Sequence, residues 1–136
     1  EFRKVISPDL AYSLEDREMN MQRVAQVCKI INDHESFAIA AVMSPTRSSR
    51  EFARRCIHRI IEVYTKCSLD VLEKRDVKGH YKNFREGKMK HLIGKDLRYD
   101  EPDNPDLVLE TDKLSVEECA RRILEKLQPY LSSLSL

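Results

Sequence analysis

Glycine is scarce in this chain: 136 residues contain three, Gly79, Gly87 and Gly94. No GxxxxGK[ST] stretch occurs, so these residues do not form the loop in which successive backbone N–H groups cradle a nucleotide's phosphates. The four cysteines, Cys28, Cys56, Cys67 and Cys119, include no CxxC pair and stand near no histidine pair at metal-ligand spacing. That argues against a metal-stapled fold and predicts buried, reduced thiols in a cytosolic setting. No apolar run approaches the ~20 residues of a membrane span, and the opening EFRKVIS lacks a signal peptide's apolar stretch. A cytoplasmic chain without a membrane partner is expected. Lys and Arg together number 24 against 23 Asp and Glu, a net charge of +1, which speaks against a nucleic-acid partner, whose footprint is an excess of basic charge over a whole face.

What is present fits one domain over 1–136, with 41% hydrophobic and 35% charged residues. Leu14 to Asp33 places Met21, Val24, Val27, Cys28 and Ile31 at helical spacing behind an N-cap candidate, Ser13. Phe37 to Met43, FAIAAVM, is a short continuous apolar run that predicts a strand covered on both faces and ending at Ser44-Pro45. Ser48 to Ile57 is compatible with a helix, Ile60 to Tyr64 (IIEVY) with a strand, Leu69 to Lys74 with a short helix, and Leu107 to Glu110 (LVLE) with another strand. The last helix keeps Val116, Ala120, Ile123, Leu124, Leu127 and Leu131 on one face, with Ser115 and Glu118 as a capping box.

Strands alternating with helices predict an α/β fold, a parallel sheet with helices on both faces. Ligands of such sheets bind at the carboxyl ends of strands, which makes Ser44-Pro45 a site candidate. YDEPDNPD, Tyr99 to Asp106, reads as a solvated loop punctuated by proline. Between Lys74 and Lys90 there are seven Lys or Arg against two acids, Asp76 and Glu86. In a chain so nearly neutral, this local field is expected to meet a small anion.

The stretches LEDREMNMQRVAQV, VMSPTR, EKRDVKGHYKNFREGKMKHLIGKD, YDEPDNPDLVLET and LSVEECARRIL stand in that order. With nearly unchanged spacing, they resemble successive segments of the adenylylsulfate kinase family. The resemblance runs from Glu1 to about Leu127. It implies a P-loop nucleotide-kinase fold whose first strand-loop-helix lies before Glu1, so that the 136 residues alone are expected to be inactive. It implies transfer of the ATP γ-phosphoryl group, with Mg²⁺, to the 3′-hydroxyl of adenosine 5′-phosphosulfate. The basic segment, about 74–98, would be a mobile lid over small-molecule nucleotide substrates. A homodimer, and fusion to or association with ATP sulfurylase, are partner expectations of the same origin.

Carried over residue by residue, the resemblance assigns Arg3 to the phosphosulfate of the acceptor, where a guanidinium can meet paired anions bidentately. Arg17 and Asn20 match the family's DRxxN and face phosphosulfate and nucleotide, while Tyr12 stands where an aromatic stacks the acceptor's adenine. Met43, Ser44 and Pro45 match a turn lining that pocket. The catalytic candidates are Lys78, the lid lysine, and Ser44. A phosphorylated serine is not needed for direct in-line transfer. Arg75, Thr111 and Leu114 match the ATP side. The family's Lys-Gly-Phe-Thr-Gly is Lys90-His91-Leu92-Ile93-Gly94 in this chain, so Leu92 replaces the second aromatic wall, with His91 beside it. Two alternatives stay open: a kinase of another nucleotide anhydride such as cytidine diphosphoramidate, and an inactive regulatory domain that binds a phosphosulfated nucleotide.

Overall fold

The computed structural model describes Phe2–Leu131 of the chain, so Glu1 and residues 132–136 lie outside the described residues. The elements run α1 (Phe2–Val5), α2 (Leu14–Asp33), α3 (Arg47–Cys56), β1 (Val63–Lys66), α4 (Leu69–Arg75), α5 (His80–Arg85), β2 (Leu107–Glu110) and α6 (Val116–Leu131). They fall into two compact units, one of residues up to Ile60 with Gly79–Glu101, the other of Ile61–Lys78 with the residues from Pro102 onward.

In the first unit α2 begins where the sequence places it. Ser13 takes an extended conformation and its hydroxyl accepts the Asp16 N–H at 3.1 Å, satisfying one of the donors a helix start leaves free. Met21, Val24 and Ala25 of α2 are buried, with Ile57 and Ile93 completing the unit's apolar core. Apart from the single methyl of Ala25, each of these side chains contributes about 1.5–3 kcal/mol by leaving water. The helix α3 is capped by Thr46, whose Oγ1 lies 2.8 Å from Ser49 Oγ and 3.4 Å from the Ser49 N–H. Ser48 Oγ then reaches Glu18 Oε1 of α2 at 2.5 Å, fastening the two helices to each other. The basic segment contains α5, opened by Gly79 in the left-handed region at φ 68°, which glycine adopts without a Cβ penalty.

The expected strand Phe37–Met43 is not formed. Its residues are exposed and lie in no ladder, Ile39 being 95% accessible. A strand requires a neighbour whose N–H and C=O groups pair with its own, and among the described residues none runs beside it. Apolar composition suggests a strand there, but composition supplies no partner.

In the second unit β1 and β2 pair in parallel, Val63 opposite Leu107 through Lys66 opposite Glu110. The first strand is displaced from the expected Ile60 to Tyr64, while the second coincides with LVLE. Leu109 is almost wholly buried. Asp106 secures the entry to the ladder: its carboxylate accepts the Glu62 N–H at 2.9 Å, and its own N–H donates to the Glu62 carbonyl at 2.9 Å. YDEPDNPD is therefore more than a solvated loop, because Asp100 and Asp106 are half-buried anchors.

The helix α6 forms as expected, but no residue in it is fully buried, and Val116 and Leu124 are exposed. A two-stranded sheet covers too little of its apolar face. Its capping box is half made: Ser115 Oγ accepts the Glu118 N–H at 3.1 Å, whereas the Glu118 carboxylate pairs with Arg121 and Arg122. The cysteines are free, as expected, but half-buried rather than buried. No helix among the described residues is long and apolar enough to cross a membrane.

Candidate functional site: two arginines on a tyrosine

The loop before α2 turns back on α1 and brings Arg3, Tyr12 and Arg17 together. Both guanidinium groups lie over the Tyr12 ring, Arg3 at 4.7 Å and Arg17 at 5.4 Å from its centroid, within the range of cation–π attraction. Backbone carbonyls hold them there. Arg3 Nη1 donates to Ala11 at 2.6 Å and Leu10 at 3.3 Å, while Arg17 donates from Nε to Tyr12 at 3.0 Å and from Nη2 to His91 at 2.9 Å. The Tyr12 side chain remains 57% exposed, so the assembly opens to solvent.

Two like charges on one ring repel. Burial is the first cause that holds Arg17 below the ordinary arginine range, and the charge of Arg3 is the second, with Tyr12 and Asp96 opposing them. An anion placed between the guanidinium groups would relieve that repulsion. Asn20 lies one helical turn beyond Arg17, on the same side of α2. It is 9% accessible and its Oδ1 accepts no hydrogen bond. A buried, unsatisfied amide oxygen costs about 1–3 kcal/mol, and such atoms recur where a ligand completes the bonding.

Two of the remaining candidates lie on the turn at 44–45. Pro45 is fully buried, and Ser44 Oγ is buried without a partner. Met43 is exposed. His91 is exposed and Leu92 half-buried. In the second unit Arg75 meets another predicted residue: its Nη2 donates to the Thr111 carbonyl at 2.7 Å, and its Nη1 lies 3.8 Å from Cys67 Sγ. Thr111 closes the end of the ladder through its N–H and hydroxyl, both donating to the Lys66 carbonyl. Leu114 sits half-buried in the following turn, and Lys78 is exposed after α4.

Sequence reasoning missed three residues that shape these sites. Asp96 binds the His91 and Leu92 amides, while Arg50 and Asp100 bracket the Ser44-Pro45 turn. An Asp just after a glycine turn is a signal for side-chain-to-backbone bonding, but it does not name the amides that are bound.

The α/β architecture, a parallel pair of strands alternating with helices, is that of nucleotide kinases. Its likeness to the Mycobacterium tuberculosis APS kinase CysC, solved in complex with AMPPNP and APS, has a TM-score of 0.88 at 31% identity, over 93% of this chain and 75% of that one. The adenylylsulphate kinase family model matches residues 1–110, and the chain belongs to that family. The adenylyl-sulfate kinase of Halothermothrix orenii is 39% identical over 93% of this chain and 68% of its own length. That of Clostridium kluyveri is 37% identical over 90% of this chain and 62% of its own length. The chain thus spans about two thirds of the curated relatives it matches.

Proposed function

We propose that the protein transfers the γ-phosphoryl group of ATP to the 3′-hydroxyl of adenosine 5′-phosphosulfate. The observation that carries this reading is the pair of guanidinium groups over Tyr12, one turn from the unsatisfied Asn20 amide. Such a cluster can do two things to one ligand. Arg3 and Arg17 attract and orient the phosphosulfate, each able to donate two parallel N–H bonds to an anhydride's oxygens. Tyr12 offers a π-face to the base.

Phosphoryl transfer asks mainly for positioning and for charge opposite the equatorial oxygens. Arg3, Arg17 and Asn20 position the acceptor. Lys78, in the basic segment, supplies charge to the transferring group, and that segment, about 74–98, is assigned as a lid. Arg75, Thr111 and Leu114 serve the ATP side, with the Arg75 fork already fixed on Thr111. The unpartnered Ser44 hydroxyl is assigned to binding in the acceptor pocket, since in-line transfer needs no phosphoserine. Among the described residues no three His, Cys, Asp or Glu side chains converge as a metal site. Mg²⁺ is assigned to the ATP phosphates, as is usual for an ion that binds through substrate phosphates and few carboxylates.

The experiment is to assay the full-length protein with ATP and adenosine 5′-phosphosulfate, following formation of the 3′-phosphorylated product. Absence of that product from a folded, ATP-binding protein overturns the reading.

A further inference from the structure

His91 has a backbone φ of 63°. A residue with a Cβ is rarely held in this left-handed region, at a cost of about 1–2 kcal/mol. Something must keep it there, and the bonding around it shows what does. Asp96 Oδ2 accepts the His91 N–H at 2.8 Å and Oδ1 accepts the Leu92 N–H at 2.6 Å, so both carboxylate oxygens are spent on two successive amides. The same turn is closed by Lys95 and Leu97 N–H groups on the Leu92 carbonyl and by Gly94 N–H on the Leu97 carbonyl, with Ile93 buried beneath it. On its other side, the His91 carbonyl accepts Arg17 Nη2. One residue is thus gripped from both sides, its N–H by Asp96 and its C=O by Arg17.

We infer that Asp96 is a positioning residue of the acceptor pocket: by fixing the His91-Leu92 turn it sets where the Arg17 guanidinium and the Leu92 side chain meet the acceptor nucleotide. The inference rests on the function proposed above. Charge and position make opposite predictions for Asp96, which makes them separable. If Asp96 mattered only as a negative charge near Arg17, neutralising it would make the pocket more positive and tighten an anionic acceptor. If it holds the turn, neutralising it loosens the acceptor. Asn in its place keeps the shape but offers one acceptor oxygen for two N–H groups.

The test is steady-state kinetics of the full-length wild type, Asp96→Asn, Asp96→Glu, Arg17→Ala and Arg17→Ala/Asp96→Asn, with folding verified by circular dichroism. Asp96→Asn is expected to raise the KM for adenosine 5′-phosphosulfate about tenfold, the loss of roughly one charge-assisted hydrogen bond, while the KM for ATP stays within about twofold. Asp96→Glu keeps the charge, displaces the carboxylate, and is expected to raise the acceptor KM as well. Adding Asp96→Asn to Arg17→Ala is expected to do little more than Arg17→Ala alone, because Asp96 acts through the turn that Arg17 holds. An acceptor KM unchanged or lowered in Asp96→Asn overturns the inference while leaving the proposed function standing. A parallel rise in both KM values also overturns it, marking a purely structural carboxylate. A folded wild type inactive on adenosine 5′-phosphosulfate overturns the functional reading and this inference with it.

Discussion

Arg50 and Asp100 are joined across the first unit, Arg50 Nη2 donating to the Asp100 carbonyl at 2.6 Å. The other arm of the same guanidinium donates to the Ser44 carbonyl at 2.8 Å. Asp100 answers from its own backbone and side chain: its N–H donates to the Pro45 carbonyl at 2.8 Å, and its Oδ2 accepts the Arg47 N–H at 3.1 Å. Two of these four bonds reach the Ser44-Pro45 segment itself, one from α3 and one from the acidic loop, and the other two tie α3 to that loop. The segment's position does not depend on a ladder at Phe37–Met43.

Replacing Arg50 tests that clamp. Arg50→Ala strands two half-buried carbonyls and should lower the unfolding free energy by roughly 1.5–3 kcal/mol, the range for hydrogen bonds to a charged group. Arg50→Lys should recover less than half, because a single ammonium does not reproduce the planar fork that spans both carbonyls. Urea unfolding of the full-length protein measures both. An Arg50→Ala midpoint equal to wild type would mean the clamp adds nothing to stability.

Arg17→Ala and Asn20→Ala should each weaken the acceptor far more than ATP, since both residues lie on one side of α2 in the first unit, Arg17 over the Tyr12 ring and Asn20 one turn beyond it. A loss of about tenfold or more in kcat/KM for adenosine 5′-phosphosulfate is expected for Arg17→Ala, with the KM for ATP little changed. Asn20→Ala removes an amide whose oxygen is unsatisfied without ligand. It should therefore weaken the acceptor without a comparable loss of stability. Unchanged acceptor kinetics in both variants would remove these residues from the pocket.

A pH dependence follows from Asp9. Arg23 donates to both oxygens of its carboxylate, at 2.6 and 2.7 Å, and this pairing is the first cause holding Asp9 below its usual 3.8, against a smaller opposing effect of desolvation. Because the folded value is depressed, the stabilisation is fully present above the unfolded value near 3.8 and is lost as pH falls through the lower folded one. Asp9→Asn should thus narrow the gap in urea midpoint between about pH 6 and about pH 2.5. High salt should shrink the difference between the two proteins, because the pair is exposed. Parallel acid limbs for wild type and variant would show that Asp9 does not report this linkage.

Local rules made some of this structure legible in the sequence. Ser13 before an apolar helical period fixed the start of α2, and the β-branched and aliphatic LVLE gave β2 residue for residue. What stayed hidden depends on distance along the chain. Arg17 meets the His91 carbonyl 74 positions away, and Arg50 meets Asp100 50 positions away. No periodicity encodes which carbonyl a guanidinium will find. FAIAAVM failed for a related reason: its residues read as a strand, but pairing belongs to two segments at once. The family resemblance named Arg3, Tyr12 and Arg17 as ligand residues. It did not show that both arginines rest on the tyrosine, or that Asp96, at the end of the matched stretch EKRDVKGHYKNFREGKMKHLIGKD, holds the turn whose carbonyl Arg17 meets.

Leu92 bears on which nucleotide the pocket accepts. Its N–H is tied to Asp96 and its carbonyl accepts the N–H groups of Lys95 and Leu97, so its backbone is fixed on both sides and a change of side chain should leave the turn in place. Where an aromatic wall is expected from the family, Leu92 offers an aliphatic one, and Tyr12 is left as the single aromatic of the pair. If the acceptor is adenosine 5′-phosphosulfate, Leu92→Phe should add a second stacking face and lower its KM, by no more than the ~1–3 kcal/mol that one stacked base contributes. If the pocket is shaped for a pyrimidine nucleotide, the larger ring should crowd it, so that activity on a cytidine diphosphate derivative falls while that on adenosine 5′-phosphosulfate rises. The measurement is a two-by-two comparison, wild type and Leu92→Phe, each with both acceptors. The adenosine acceptor is expected, because Tyr12, Arg17, Asn20 and Ser44 all match the acceptor side of the family, while the repulsion between Arg3 and Arg17 calls for an anionic anhydride whichever base lies on Tyr12. A wild type that phosphorylates the cytidine nucleotide and ignores adenosine 5′-phosphosulfate would reverse that assignment and leave the arginine pair as a general anhydride clamp.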